Sequence, residues 1–402
     1  SWWGCVLLGG WVMVCVRRGG GALLGGAYLV GVPGGNLSFG LGSAGRGGVE
    51  GVGGTSRGGA LRGGLAGVGD LSQSGGDMDV DGYTVGTQPS VPASSSTHTG
   101  GTLDVTGFLQ IAPAFGDAIL TIEGADVSCG TLYMGEGPGA TAELVLLSGV
   151  LDATNARIGI EGSATLEQFG GAFTATSVAI GELSGADTAV WECYGGTAMV
   201  SGDVRVGAGN TGDGTFVIDG GAVVCGDVLV AAANNSNGAV RLESGSLNAA
   251  TLSIGVSEYA QYIQRGGSLT AGSVIVNPSG AHDALFQITG PNFGTASISA
   301  FTNNADTQIF GGVTAIGTLN NSAGAEFRLG NSPDVRVSSL VNDGSFVFGT
   351  AGVILSGPYV SFPVELRLIG AFQNNGTLTS TTGLAGSFVM NLTNDGVVNV
   401  LG

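Results

Sequence analysis

The sequence predicts an all-β protein, a right-handed parallel β-solenoid with three short strands in each coil of about 24 residues. Three observations predict this fold: glycine supplies 79 of the 402 residues, apolar residues alternate with others over short stretches, and the alternation recurs at a nearly fixed spacing. Glycine costs about 1 kcal/mol in a helix interior, so its recurrence every few residues disfavours long helices. The right-handed sense follows from the general preference of parallel crossover connections.

The repeat is clearest when the chain is aligned on the second residue of a Gly-Gly pair or its equivalent. These anchor positions are 21 to 25 residues apart: Ala125, Gly149, Gly171, Gly196, Gly221, Gly245, Gly267, Pro291 and Gly312. Five residues before each anchor stands a large apolar side chain: Leu120, Leu144, Leu166, Trp191, Phe216, Val240, Tyr262 and Phe286. Because alternate residues of a strand share a face, such columns predict an inward face that is buried when successive coils stack.

A small polar residue precedes the last strand of each coil. This column contains Thr131, Asn155, Ser177, Asp203, Asp227, Thr251, Ser273 and Ser297. We expect these side chains to form hydrogen bonds along the stack at a turn. From about residue 301 the pattern changes to apolar-x-Asn-x-Gly units, in which Asn-Gly and Asp-Gly provide tight turns.

Three regions follow from these patterns. Residues 1–77 are predicted to be a Gly/Arg-rich, poorly ordered leader. Three interpretations of this leader are open: an export signal with a linker, a non-native leader, or a membrane anchor. Residues 78–313 form the regular solenoid. Residues 314–402 form less regular Asn-Gly-type coils that are truncated at the end of the chain. The apolar stretch at 2–16 is shorter than the roughly 20 residues that span a bilayer. No stable membrane span is expected in the repeat region.

The charge distribution excludes several classes of partner. The chain carries a formal net charge of −18, and its 12 basic residues are all arginine. Five of these arginines lie within residues 1–70, so the repeat region is strongly acidic. A surface of this charge repels nucleic acid and anionic lipid.

The cysteines and histidines show no metal-binding or catalytic spacing. The five cysteines are an odd number without a Cys-x-x-Cys motif: Cys5, Cys15, Cys129, Cys193 and Cys225. We expect Cys129 and Cys225 to be small buried or corner residues. His98 and His282 are far apart in the chain and are interpreted as surface polar residues. The sequence therefore predicts no catalytic residue, no cofactor site and no metal site.

Two acidic pairs nevertheless deserve consideration as sites. Glu167 and Glu192 share an outward column on adjacent coils, near the carboxylate separation that retaining glycosidases use, and Arg241 stands farther along that column. Asp203 and Asp227 share the turn column on adjacent coils and could hold Ca²⁺ with loop carbonyls. Outward glutamates are common on acidic solenoids, and we expect no aromatic platform near the glutamate pair beyond Tyr133 and Tyr194.

The segment GDVRVGAGNTGDGTFVIDGGAVV at 202–224 and its kin resemble the repeats of autotransporter passenger regions and of PEP-CTERM-type exported bacterial proteins. The resemblance covers about residues 101–312, and it implies a secreted or surface-displayed β-helix that is adhesive or structural. No C-terminal membrane barrel and no Pro-Glu-Pro sorting motif follow the repeats in this sequence.

We therefore expect a non-enzymatic, extracellular structural or adhesin-like scaffold of a bacterial surface protein, with polysaccharide or cell-surface components as partners. The first alternative is a carbohydrate-active β-helix enzyme, a polysaccharide lyase or glycoside hydrolase. The second is a passive carbohydrate- or calcium-binding module.

Overall fold

The structure is a computed structural model. It describes backbone and side chains over residues 70–86, 93–182, 188–257, 259–278, 283–289, 294–330 and 335–347, and only the backbone of strands outside these ranges. The chain divides into two compact units, the first formed by residues 1–202 with 212–214 and the second by residues 203–211 with 215–402. No helix occurs among the described residues, and so none that is long and apolar enough to cross a membrane.

The first unit contains sixteen strands in the described parts of the chain. They are β1 Trp2–Leu8, β2 Val12–Gly19, β3 Ala22–Leu29, β4 Leu37–Phe39, β5 Arg46–Gly51, β6 Thr55–Gly63, β7 Val68–Gln73, β8 Asp77–Val85, β9 Ser94–His98, β10 Thr102–Ile111, β11 Asp117–Met134, β12 Thr141–Ile158, β13 Ser163–Gln168, β14 Ala172–Ile180, β15 Ala189–Cys193 and β16 Thr197–Val200. Strands β1, β2 and β3 pair antiparallel, and β5 onwards pair in parallel with strands one coil away.

The second unit holds the remaining strands of the described chain, together with most of β18, which starts in residues of the first unit. They are β17 Val204–Val206, β18 Asp213–Val230, β19 Asn237–Ile254, β20 Ala260–Gln264, β21 Ser268–Val276, β22 Ala284–Ile288, β23 Thr295–Asn303, β24 Asp306–Ile309, β25 Val313–Asn321, β26 Glu326–Leu329, β27 Asp334–Asn342, β28 Ser345–Phe348, β29 Glu365–Leu368, β30 Ala371–Asn374, β31 Thr377–Ser380, β32 Asn391–Asn394 and β33 Val397–Val400.

The register of the first unit confirms the parallel solenoid. Leu120 pairs with Leu144, Leu144 with Leu166 and Leu166 with Trp191, so the predicted apolar column runs through successive coils. All four side chains are buried. The rings of Trp191 and Phe173 meet edge to face at 5.2 Å. Burial of large side chains of this kind stabilises a fold by about 1.5–3 kcal/mol each, which makes this column a main part of the core.

Each coil has three short straight segments, as the sequence predicts. In β11 and β12 the paired stretches are 117–122 with 141–146, 126–129 with 150–153, and 131–134 with 155–158. The predicted polar column is realised at the last of these boundaries, where the Ser177 hydroxyl donates to Asn155 Oδ1 at 2.8 Å. Parallel strands of neighbouring coils lie about 4.8 Å apart, so such columns bring side chains into contact.

Three buried glutamines hold coil corners together. Gln73, Gln168 and Gln264 occupy the same inward position of their coils. Gln168 Nε2 donates to the Thr197 carbonyl at 2.9 Å, and Gln264 Nε2 donates to the Thr295 carbonyl at 3.0 Å. Since an unpaired buried carbonyl is costly, these carboxamides stabilise the corner of the next coil. The sequence pattern treats these positions as exceptions to an apolar column and does not reveal this role.

The second unit has an aromatic core that continues into its shorter coils. Tyr262 stacks on Phe286 with ring centroids 5.0 Å apart, and Phe327 stacks on Phe346 at 4.9 Å. Phe301 contacts Phe286 and Phe327 edge to face. Such aromatic pairs contribute about 0.5–1.5 kcal/mol beyond the area they bury. The predicted inward column therefore continues past residue 301.

A ladder of buried asparagines runs beside these rings. Asn303 Nδ2 donates to Asn321 Oδ1 at 2.8 Å, and Asn321 Nδ2 donates to Asn342 Oδ1 at 2.6 Å. The backbone register continues from Asn342 to Asn374 and from Asn374 to Asn394. In the units at 320–327 and 340–348 the asparagine thus lies on the inner face of a coil.

The predicted register is wrong at one coil. Leu269 pairs with Ala296, and Ser273 pairs with Ala300, so Ser297 lies opposite Thr270 and does not join the predicted polar column. Counting back from Ala296 puts Gly294 in the position of Gly267, and the Thr295 amide donates to the Gly267 carbonyl at 2.9 Å. The strand before this corner keeps its register, so the additional residues are taken up in the corner. The predicted anchor Pro291 lies outside the described residues.

The described coils extend beyond the region expected to be most regular. Leu71 and Gln73 of β7 are already buried, ahead of the predicted start at residue 78. Beyond residue 313, β25 pairs in parallel with β27, and Leu319 lies opposite Leu340. Parallel pairing across coils therefore includes parts of both flanking regions.

Candidate functional site

Glu167 and Glu192 lie opposite each other on adjacent coils of the first unit. Glu167 of β13 pairs with Glu192 of β15, as the repeat predicts, and both side chains are half-buried on the outer face of the sheet. Their backbones are therefore about 4.8 Å apart. Glu143 of β12 pairs with Thr165, which places it diagonally across from Glu167 on the preceding coil. Three glutamates thus occupy one patch of the sheet.

The two paired glutamates have different electrostatic surroundings. Partial burial raises the pKa of Glu167, and the neighbouring carboxylates of Glu143 and Glu192 raise it further. The Tyr194 hydroxyl donates a hydrogen bond to Glu192 Oε2 at 2.7 Å. Glu192 thus has a hydrogen-bond donor beside its carboxylate, whereas Glu167 has carboxylate neighbours on both adjacent coils.

Exposed aromatic rings flank the glutamates. Phe169 and Tyr194 follow β13 and β15 directly, and their rings stack with centroids 5.0 Å apart and planes 14° apart. Phe169 is 48% exposed and Tyr194 is 37% exposed, and Leu147 occupies the corresponding position of the preceding coil with 39% exposure. Large apolar side chains exposed together mark interaction surfaces more often than single ones do.

Phe169 is not predicted by the columns of strand residues. It follows the inward Gln168 directly, as Tyr194 follows Cys193, and these corner positions lie just outside the strands. Tyr133, which was expected near the pair, belongs to β11. There the guanidinium of Arg157 lies 5.5 Å from the centre of its ring.

Arg157 is engaged elsewhere and does not neutralise the glutamates. Its guanidinium forms an ion pair with Glu182 and contacts the ring of Tyr133. It is the only basic residue between positions 70 and 202, a stretch that contains sixteen acidic residues. The face that carries Glu167 therefore lies in a region of strongly negative charge.

Asp203 and Asp227 stand on neighbouring coils of the second unit, because Val204 pairs with Val228. Asp203 Oδ2 accepts a hydrogen bond from Arg205 at 3.2 Å, and that cation competes with any bound metal. Among the residues the structure describes, no group of three or more His, Cys, Asp and Glu side chains could hold a metal ion. Arg241 also belongs to the second unit, where it pairs with Ile263.

The interpretation of His98 as a surface residue is wrong. His98 is fully buried, and its ring connects Ser96 Oγ at 2.9 Å with Gln73 Oε1 at 2.8 Å. The Tyr83 hydroxyl donates to Ser96 Oγ at 2.5 Å and completes the chain. Burial lowers the pKa of His98 to about 4. This Tyr83–Ser96–His98–Gln73 network is enclosed in the core, so its Ser-His pair cannot meet a substrate. His282 lies outside the described residues.

Cys129 and Cys225 are buried, as the sequence predicts, with 7% exposure each. Burial raises the pKa of each thiol to about 12, with a smaller effect from a nearby aspartate, Asp152 beside Cys129 and Asp227 beside Cys225. Thiols of this kind are protonated at neutral pH and are poor nucleophiles. We therefore assign Cys129 and Cys225 a structural role, as buried side chains of the coils.

The chain matches no protein-family model, no curated protein and no solved structure. The class that the geometry defines is that of the parallel β-solenoid, with an acidic, aromatic-lined outer face on its first unit.

Proposed function

We propose that this chain is a non-enzymatic structural solenoid, an extracellular, adhesin-like scaffold of a bacterial surface protein. The observation that carries the proposal is the use of the buried polar side chains. The inward glutamines and asparagines join one coil to the next. Gln168 donates a hydrogen bond to the Thr197 carbonyl, and Asn321 donates one to Asn342 Oδ1. A repeat whose polar core groups serve coil stacking suits a stalk that displays its outer columns to partners.

An extracellular location agrees with the acidic surface and with the low number of basic residues. It also agrees with the repeat rhythm that resembles exported bacterial proteins. An acidic solenoid remains soluble and does not attract nucleic acid. Expression as a fusion with a reporter that is active only outside the cytoplasm tests the location, and an inactive reporter on a fusion retained in the cytoplasm would contradict it.

A carbohydrate-active enzyme is the second candidate, and one observation favours it. Glu167 and Glu192 face each other on adjacent coils, with the Tyr194 hydroxyl bonded to Glu192. Paired carboxylates with different surroundings are the arrangement that acid–base hydrolysis of glycosides uses. The carboxylates lie on an exposed sheet face.

A panel of polysaccharides separates the two candidates. We expect no release of reducing or unsaturated ends when the full chain is incubated with the panel. Release of such ends that disappears in Glu167→Gln and in Glu192→Gln would contradict the scaffold proposal and support the enzyme. Asp126→Asn is the control, since this exposed carboxylate belongs to a different segment of the coil.

The calcium-binding alternative has a direct test. Asp203 is bonded to Arg205, so we expect the melting midpoint of the chain to be the same with and without a chelator. A midpoint that falls on chelation and recovers with added Ca²⁺ would restore calcium as a partner.

A further inference from the structure

The outer face of the first unit combines negative charge with exposed rings. We call the patch of Glu143, Glu167, Glu192, Phe169 and Tyr194 the Glu/aromatic face. Its glutamates project from neighbouring coils, and its two rings stack directly beside them. The carboxylates and rings are therefore presented together along the direction in which the coils stack.

In the part of the first unit whose side chains the structure describes, no basic residue forms an ion pair with the glutamates of this face. Glu167 is influenced by two other carboxylates, and both raise its pKa. Arg157, the single basic residue between positions 70 and 202, is paired with Glu182. A cationic partner would relieve the repulsion between the glutamates, which is a source of binding free energy that a neutral or anionic partner lacks.

The exposed rings beside the glutamates favour a sugar chain over a peptide. Phe169 and Tyr194 present exposed aromatic faces, on which the apolar face of a pyranose ring can pack. An extended peptide places side chains on one face about 6.6 Å apart, whereas neighbouring coils are about 4.8 Å apart. Cationic side chains of a peptide strand therefore fall out of step with the glutamates.

We propose that the Glu/aromatic face binds a cationic amino-sugar polymer, whose free amines pair with the glutamates and whose apolar ring surfaces pack on Phe169 and Tyr194. Ammonium groups are attracted to carboxylates and to aromatic rings. The inference rests on the adhesin-like scaffold of the preceding section, and it names the chemical class of that scaffold's partner.

Calorimetric titration of the full chain with glucosamine hexamer at about pH 6 tests the inference, since amines are charged and most carboxylates ionised there. We expect the hexamer to bind at least about tenfold more tightly than its fully N-acetylated counterpart. The Glu167→Gln/Glu192→Gln double variant is expected to raise Kd about tenfold. The Phe169→Ala variant is expected to weaken binding without changing how steeply Kd depends on salt concentration.

The matched control is Asp126→Asn/Asp152→Asn, which removes two exposed carboxylates from another segment of the coil. We expect it to change Kd by about twofold or less. Circular dichroism melting of each variant checks that the fold is retained. Removing repulsive glutamates is expected to leave the melting midpoint unchanged or higher.

Three results would overturn the inference: equal binding of the acetylated hexamer, equal binding by the glutamate double variant, or hexalysine that binds as tightly with the same dependence on the glutamates. None of them decides the scaffold proposal, because the chain could still display other surfaces. Cleavage of the polysaccharide panel would contradict the non-enzymatic scaffold and leave the binding of amino sugars intact. The two failures are therefore distinguishable.

Discussion

Asn321 is the central residue of the buried asparagine ladder, so its replacement tests how much the ladder stabilises the second unit. Asn321 accepts from Asn303 at 2.8 Å and donates to Asn342 Oδ1 at 2.6 Å and to the Ser345 carbonyl at 3.0 Å. All three asparagines are fully buried. At about 1 kcal/mol for each hydrogen bond, with acceptors left unpaired in the core, Asn321→Ala is expected to lower the free energy of unfolding by about 3 kcal/mol.

Two further variants separate lost hydrogen bonds from lost volume. Asn321→Leu fills the space but pairs with none of its neighbours, so it is expected to remain destabilised by about 2 kcal/mol or more. Asn320→Ala is the control, because Asn320 points outward on the same strand. The urea midpoint measures global stability, and hydrogen exchange of peptides from residues 313–348 measures the local effect. Wild-type stability and exchange in Asn321→Leu would refute the reasoning.

Three other predictions concern the described core. The pKa of His98 is lowered from 6.5 to about 4 in the folded chain. Because the unfolded chain binds this proton between pH 6.5 and 4 and the folded chain does not, the free energy of unfolding of the wild type should fall by about 3 kcal/mol relative to His98→Gln over that range. Equal pH profiles of the two proteins in denaturant titrations would contradict this. Thr314 Oγ1 is buried without a hydrogen-bond partner among the described residues, so Thr314→Val should raise the urea midpoint by the equivalent of about 1–2 kcal/mol, whereas a lower midpoint would be inconsistent with an unsatisfied hydroxyl. Gly149 has φ +89°, and a Cβ there would lie 2.2 Å from the Ala125 carbonyl oxygen; Gly149→Ala should cost about 2–4 kcal/mol in thermal or urea unfolding, and a neutral result would show that this corner is misplaced.

The period of the repeat made most of the fold predictable. Leu120, Leu144, Leu166 and Trp191 are separated by nearly equal intervals, and stacking of the coils follows from that spacing alone. The register failed at Ser297 because a corner can lengthen without disturbing the strands beside it. Column spacing carries no information about which of two neighbouring corners holds additional residues.

Polar residues in the core were harder to predict than apolar ones. His98 is interpreted from composition as a surface residue, yet it occupies an inward position where Gln73 and Ser96 satisfy its ring. Its partner Gln73 is one coil away, and residues one coil apart are identified only once the register is known. The candidate site shows the same limit: Glu167 and Glu192 were found from strand columns, whereas Phe169 stands at a corner that the columns did not include.

Pairing of residues in neighbouring coils is the central claim, and disulfide trapping tests it most directly. Thr165 lies opposite Val190, so the Cα atoms of Thr165→Cys/Val190→Cys should be about 4.8 Å apart, within the range of a disulfide. In the control Thr165→Cys/Glu192→Cys the second site is displaced by two residues, which gives about 8 Å and prevents a disulfide without backbone movement. We expect mass spectrometry of the oxidised chain to find the 165–190 disulfide in high yield and little of the 165–192 disulfide. Equal yields, or a 165–192 disulfide alone, would contradict the stacked register on which the core and the Glu/aromatic face depend.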